Sequence, residues 1–278
     1  MTVPFSLVGN FDIEPHHFRI YEAINSASDD WLESLAEEYV RILSHTETSL
    51  RTIRGSEDTG MDMSLVNRYV RKASIPKYEE GNFGVVRSDF GELICYMLLE
   101  RDYGTKFGVK SIYERELRDR PGRGIDAIGI EERDLLTLVL CEVKVSDDQS
   151  SPPGVVDHGS DCLSKQHQYH LENLNEKTKN KVWRTVQKTR DSKIATLLTA
   201  AALCLEENKL DRLHIIVCNV LARPKAMHRQ SDFGSFKRDP ARYNPAAIRF
   251  LIACIPDDVN VIISKWYGLV QKKTEVSV

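Results

Sequence analysis

The 278-residue chain contains no C-x-x-C pair, and most of its six cysteines lie in apolar segments. A reduced thiol in such a setting behaves as a small hydrophobe, which excludes a disulfide framework and favours a reducing cytoplasm. Long apolar runs are missing as well: the longest, residues 194–205, is too short to cross a bilayer. Residues 1–11 lack the basic and apolar regions of a secretory signal. We therefore expect a cytoplasmic protein without a membrane partner.

An excess of charge of either sign is also missing. The net charge is −3 at pH 7, so any contact with DNA requires a local basic surface. Residues 177–193 offer one, since seven lysines and arginines there accompany a single acid. The side chains predicted to bind DNA are Lys177, Lys181, Arg184 and Lys188. A solvated helix face explains the same charges equally well.

Two apolar segments, residues 123–130 and 135–145, have the composition of strands and are joined by four polar residues. They predict a β-hairpin in which Asp126 lies opposite Glu142. Because side chains alternate between faces, Lys144 projects on the same face as Glu142. Three charged groups then meet at the open end of the hairpin, and a row of apolar side chains covers its other face.

Two neighbouring carboxylates repel each other unless a cation or a proton lies between them. A hard dication with oxygen ligands fits this pair better than zinc, so we expect Asp126 and Glu142 to bind Mg²⁺, with Mn²⁺ as a possible replacement. The metal would activate a water and neutralise a phosphate, and Lys144 would position that water. A surface hairpin with an ordinary ion pair is the alternative.

A third acid lies in residues 89–99, a segment that predicts a helix apolar nearly all round and therefore buried. Glu92 shares one stripe of this helix with Tyr96, so its carboxylate needs a partner, and the metal is one. The alternative is a capping box, in which Asp89 caps the helix and Glu92 reaches back to a backbone N–H.

Two further patterns give little support to other functions. The acids, cysteine and histidines between residues 157 and 170 contain a possible zinc cluster, but they include one cysteine and have no established ligand spacing. The chain also lacks the G-x-x-x-x-G-K-[ST] motif of P-loop motors, so unwinding of DNA would need a partner.

The chain carries a glutamate in a predicted helix, then a Gly-x-Asp motif, then a Glu-x-Lys motif. This order of motifs resembles the PD-(D/E)xK phosphodiesterase superfamily. The residues concerned are Glu92, Asp126, Glu142 and Lys144, and the resemblance covers roughly residues 81–220. It implies a restriction-endonuclease-like core of mixed sheet and flanking helices. It also implies that Glu92, Asp126 and Glu142 organise one or two Mg²⁺ and that Lys144 assists the water. The family's Pro-Asp is replaced here by Ile125-Asp126.

More narrowly, residues 88–92, 123–129 and 141–144 are similar to the HamA family, the nuclease subunits of Hachiman antiphage defence. The chain length and an N-terminal helical extension agree with this. The resemblance implies a HamB-like helicase partner that restrains the nuclease until aberrant or phage DNA is sensed, followed by unspecific degradation of DNA.

The polar segment 79–84 marks a predicted boundary between an N-terminal, mainly helical docking region, residues 1–80, and a nuclease-like domain, residues 81–278. Within the first region, residues 31–43 have helical periodicity with one apolar side. After the hairpin we predict helices and strands in an α/β arrangement. The helices are predicted at 163–190 and 192–208, and the strands at 213–221, 249–255 and 259–266.

These patterns together predict a Mg²⁺-dependent DNA nuclease, and the resemblance to the HamA family implies that it is the effector of an antiphage system that works with a helicase. One alternative is a non-catalytic subunit of nuclease-like fold that binds DNA or a partner. Another is a restriction endonuclease. The complete set of three acids and one lysine favours the enzyme, because a degenerate fold has no need to keep four charges around one point.

Overall fold

The structure of the protein, a computed structural model, describes residues 4–24, 28–51, 75–76, 84–113 and 124–276. Its centre is a mixed sheet of seven strands within these ranges, ordered β1-β2-β7-β6-β5-β4-β3. The strands are β1 (Phe5–Ile13), β2 (His16–Ala23), β3 (Lys106–Phe107), β4 (Ala127–Glu132), β5 (Leu136–Val145), β6 (Leu213–Pro224) and β7 (Ala247–Ile255).

Helices cover both faces of this sheet. They are α1 (Asp30–Arg51), α2 (Gly84–Tyr103), α3 (Gly154–Asp157), α4 (Leu163–Glu172), α5 (Lys179–Lys188), α6 (Ser192–Glu206), α7 (Gly234–Arg238) and α8 (Val259–Val276), with a π-helix at Leu174–Thr178. One apolar core joins the sheet to α1, α2 and α8, and a second joins it to α4, α5, α6 and α7. The predicted α/β class, a mixed sheet flanked by helices, is confirmed.

Strands β2, β7, β6 and β5 run parallel at the centre of the sheet, whereas β1, β4 and β3 pair antiparallel at its edges. Every residue of β7 is buried. A parallel strand covered by helices on both faces is nearly all apolar. The one charged residue of β7, Arg249, is buried in an ion pair with Glu131 at 2.6 Å.

The predicted hairpin is formed by β4 and β5, and its register is as predicted: Ile128 lies opposite Leu140 and Ile130 opposite Leu138. Alternation sends Leu138 and Leu140 into the core beneath α6. It sends Val139 and the residues in phase with it toward α2 on the opposite face. The apolar sides of the two strands therefore fix the register that positions the charged residues at the open end.

The predicted helix at residues 31–43 lies within α1, and its apolar side is buried. Leu32 and Leu35, for example, are fully buried in the core shared with α2 and α8. Acids on its outer side pair with α8, as Glu37 does with Lys273 at 2.8 Å. The predicted boundary at 79–84 lies almost entirely outside the described residues.

Several elements differ from the sequence predictions. The segment from Val259 to Trp266, predicted as a strand, belongs to helix α8, because its buried residues Val259, Ile262, Ile263 and Trp266 recur at helical spacing. The single helix predicted at 163–190 is divided into α4, the π-helix and α5. Strands β1 and β2 were not predicted, since β1 is an edge strand that buries little of its surface. None of the helices in the described ranges combines the length and apolarity that crossing a bilayer requires.

Candidate acidic site at the open end of the hairpin

Asp126 directly precedes β4 and is held against β5 by its own backbone. Its N–H donates to the carbonyl of Cys141 at 3.1 Å, and its Oδ2 accepts from the N–H of Val143 at 2.7 Å. Gly124 gives the chain the turn that leads into the strand, with a φ of +89° that favours glycine. The carboxylate is therefore fixed beside β5 at the point where the hairpin opens.

Glu142 lies in β5 and is almost fully buried. Its Oε1 lies 2.7 Å from Nε2 of His170, which α4 presents to this face of the sheet. Its other oxygen, Oε2, is buried and has no hydrogen-bond partner. Leaving a buried carboxylate oxygen unpaired is costly, so this atom is placed to receive a ligand.

Glu92 reaches the same region from helix α2. Its Oε2 accepts from the hydroxyl of Ser111 and lies 3.4 Å from that of Tyr96. The Ser111 hydroxyl also lies 2.8 Å from the carbonyl oxygen of Asp126. A short 3-10 helix, Ser111–Tyr113, therefore ties the glutamate of α2 to the start of β4.

The capping-box alternative for Glu92 is excluded. Helix α2 is already formed at Gly84, so Asp89 lies in its interior and cannot be the residue that caps its first turn. The Asp89 carboxylate accepts a hydrogen bond from the hydroxyl of Tyr39 at 2.5 Å instead.

The three acids influence one another electrostatically. Burial, together with the charge of Asp126, raises the pKa of Glu92 to about 8. Burial and the neighbouring Glu142 raise the pKa of Asp126 well above its usual range. Burial raises the pKa of Glu142 to about 8 although Lys144 and Lys181 oppose that shift. Asp126 thus interacts electrostatically with both glutamates, and each of the three groups keeps its proton to a higher pH than an ordinary carboxyl group.

The chemistry of this cluster fits a hard dication. It supplies three carboxyl groups, and Oε2 of Glu142 is buried with no hydrogen-bond partner. Within the described residues, however, no group of three or more His, Cys, Asp or Glu side chains is arranged so that it could hold a metal ion. The carboxylates instead accept hydrogen bonds from the protein, so binding a metal requires them to exchange some of these bonds for metal contacts.

The buried acids make the stability of the metal-free protein depend on pH. The pKa of Glu92 is about 8 in the folded protein against 4.5 for an ordinary glutamate, so the folded state holds more protons and unfolding becomes easier as pH rises toward 8. Below about pH 6.5 the buried imidazoles of His167 and His170 have the opposite effect: they make the folded state more stable as pH rises. The reason is that burial lowers the pKa of these groups to about 3 and about 4, so the unfolded state holds more protons.

We therefore expect the melting temperature in EDTA to fall between about pH 6.5 and pH 8. Added Mg²⁺ or Mn²⁺ is expected to raise the melting temperature most at the upper end of this range. There the carboxyl groups lose their protons to solvent most easily, so protons compete least with the metal. Thermal denaturation followed by circular dichroism measures both effects. A melting temperature in EDTA that rises over this interval would contradict the assignment of raised pKa values.

Lys144 lies beside the acids and lines a cleft of about 440 Å³. The residues around this cleft are Gly84, Arg87, Ser88, Gly124, Asp126, Val143, Lys144, Val145, Asp161 and Gln166. The Lys144 ammonium lies 2.7 Å from the carboxylate of Asp161, which is largely exposed at the mouth of the cleft. An exposed pair of this kind contributes about 1 kcal/mol or less, so it does not hold Lys144 away from a ligand.

The four residues predicted to bind DNA do not have equivalent positions. Lys177 belongs to the π-helix, and its ammonium lies 4.8 Å from the ring centroid of Tyr169. Arg184 and Lys188 are exposed on α5. Lys181 is half-buried and lies among the acids of the cluster. Spacings of three and seven residues place Lys181, Arg184 and Lys188 on one side of α5. Lys181 on this side is half-buried, and Arg184 and Lys188 are exposed.

The possible zinc cluster is not formed, because its residues serve different partners within the described structure. Asp157 accepts from the backbone N–H of Ser235 at 2.9 Å, Asp161 pairs with Lys144, and His170 contacts Glu142. His170 and Ser111 at the site were not identified from the sequence. Both are brought to it by tertiary packing, and neither stands in a recognisable motif with the acids.

The fold and the site define an α/β protein with a buried acidic cluster and adjoining lysines at the end of a hairpin. The sequence model of the HamA family matches residues 8–215, which is most of the chain and contains all four predicted site residues. The chain therefore belongs to the HamA family, and this membership supports its assignment to Hachiman antiphage defence. Among curated proteins no sequence matches it.

Proposed function

We propose that this HamA-family protein is a Mg²⁺-dependent DNA nuclease of the PD-(D/E)xK kind. The observation that carries the proposal is that three acids from separate elements lie near one another: Glu92 on α2 and Glu142 on β5 are buried, and Asp126, before β4, is half-buried and lines the cleft. Lys144 lies beside them at an open cleft. Bringing three carboxyl groups together in a protein interior is costly unless a cation binds them.

In the proposed reaction, water attacks a backbone phosphorus atom, one P–O bond breaks, and a phosphate end and a hydroxyl end are released. Mg²⁺ or Mn²⁺, when bound, supplies Lewis-acid activation of the water and the phosphate. Asp126 and Glu142 would be its ligands and Glu92 would complete or support the set. Lys144 would leave Asp161 to orient the water and to stabilise charge on the phosphate oxygens.

The helicase partner is part of the proposal and comes from the family resemblance. A nuclease of this kind would damage the DNA of its own cell unless it were restrained, and the chain has no P-loop motif with which to move along DNA itself. We propose that a HamB-like helicase restrains it and supplies DNA to the cleft. The side of α5 that carries Arg184 and Lys188 would contact the DNA backbone.

The test is cleavage of supercoiled plasmid by the full chain, alone and together with a helicase partner. We expect nicking or degradation with Mg²⁺ or Mn²⁺ and none with EDTA, and a dependence on salt that reflects contacts with phosphates. DNA binding without metal-dependent cleavage under every condition, including with the partner and ATP, would establish the non-catalytic alternative. Cleavage confined to one short sequence would favour a restriction endonuclease instead.

A further inference from the structure

Lys181 lies among the three acids although it comes from a different part of the chain. It is half-buried on α5, and its positive charge acts on Glu92, Asp126 and Glu142. It also acts on His170, the imidazole that contacts Glu142. The charge of this half-buried lysine therefore acts on all three acids and on His170.

The backbone of the Gly-Ile-Asp segment makes room for this ammonium. A Cβ placed on Gly124 would lie 2.6 Å from Nζ of Lys181, closer than any ordinary contact, and Gly124 has a positive φ. Glycine at this position therefore has two functions: it allows the turn that directs Asp126, and it lets the lysine pass close to the backbone.

The two lysines of the site differ in their surroundings. The ammonium of Lys144 is directed to Asp161 at the mouth of the cleft, 2.7 Å away. Lys181 is held over Gly124, two residues from Asp126, and its main electrostatic partners are the carboxyl groups that would bind metal. The site thus has a second half-buried lysine, which the Glu-x-Lys motif does not contain.

We propose that Lys181 is a second catalytic lysine, which contacts the phosphate undergoing cleavage. This inference rests on the proposed nuclease function. Negative charge on the phosphate oxygens grows during attack by water, and a fixed ammonium beside them stabilises it. The same ammonium repels a dication, so it weakens metal binding while it accelerates cleavage.

The opposite effects of the Lys181 ammonium on metal binding and on cleavage provide the test. In Lys181→Met, a neutral side chain of similar length, we expect Mn²⁺ to bind roughly tenfold more tightly by isothermal titration calorimetry. Single-turnover cleavage at saturating Mn²⁺ is expected to fall about 10- to 100-fold. Lys181→Arg keeps the charge and is expected to bind Mn²⁺ within about threefold of the wild-type protein. Lys272→Met, which removes the same charge from an exposed position on α8, should change neither quantity.

A purely structural lysine gives a different result, because its loss would weaken both metal binding and cleavage. That outcome would overturn the proposal, and so would unchanged cleavage in Lys181→Met. If Lys181→Met is unstable, the Mn²⁺ affinity of Lys181→Gln decides in its place. A wild-type protein that neither binds Mn²⁺ nor cuts DNA would refute the nuclease function itself. A wild-type protein that does both, beside a Lys181→Met protein with unaltered values, would refute only the role of Lys181.

Discussion

Replacing Asp126 with asparagine is expected to reduce metal-dependent DNA cleavage by roughly a thousandfold or more. The amide keeps the size of the side chain, and its oxygen can still accept the hydrogen bond from the N–H of Val143 that anchors the carboxylate. It removes one negative charge from the proposed ligand set, so the metal proposed to activate water would bind more weakly. Single-turnover assays with Mg²⁺ across a wide concentration range measure the loss.

The same substitution is expected to stabilise the metal-free protein at about pH 8. Asp126 is half-buried beside Glu142, and both have a raised pKa, so a neutral amide relieves repulsion that grows as the acids ionise. The matched control is Asp211→Asn, which changes an exposed acid in the turn before β6 and should leave cleavage unaltered. An Asp126→Asn protein that cuts DNA at the wild-type rate would remove Asp126 from the site.

The hairpin was predictable in register because the information is local. Alternating apolar residues on two adjacent segments allow only one pairing that buries both rows, and this pairing determines which charged residues meet. Glu92 was predictable for a related reason: an acid within an apolar helix needs a partner. The assignment of metal binding to these residues stays a prediction.

The rest of the site depends on contacts between distant segments. Lys181 belongs by sequence to a basic run that is typical of a solvated or DNA-binding helix face, and only the packing of α5 brings it to Gly124. Likewise, Ser111 joins Glu92 to Asp126 through one hydroxyl, and His170 reaches Glu142 from α4. Single serines and histidines carry no periodic signal, so the sequence could not place them.

Helix α2 packs closely against the hairpin at Gly91, the residue before Glu92. A Cβ there would lie 2.8 Å from methyl groups of both Val143 and Val145, against about 3.5–4.0 Å for an ordinary contact. Valine side chains in a packed strand cannot turn away easily, so α2 must move. We expect Gly91→Ala to lower the free energy of unfolding by about 1–3 kcal/mol, measured by chemical denaturation.

Gly268→Ala is the matched comparison, because it makes the same change within helix α8, where a new Cβ has nothing within 4 Å. Alanine favours helix over glycine by up to about 1 kcal/mol, so this variant should be slightly more stable than the wild-type protein. The two substitutions thus have opposite expected signs, and equal effects would contradict the close packing of α2. Displacing α2 also moves Glu92, and a shift approaching 1 Å can cost about a hundredfold in rate. Gly91→Ala should therefore lose cleavage activity even under conditions in which it is fully folded, whereas Gly268→Ala should retain it.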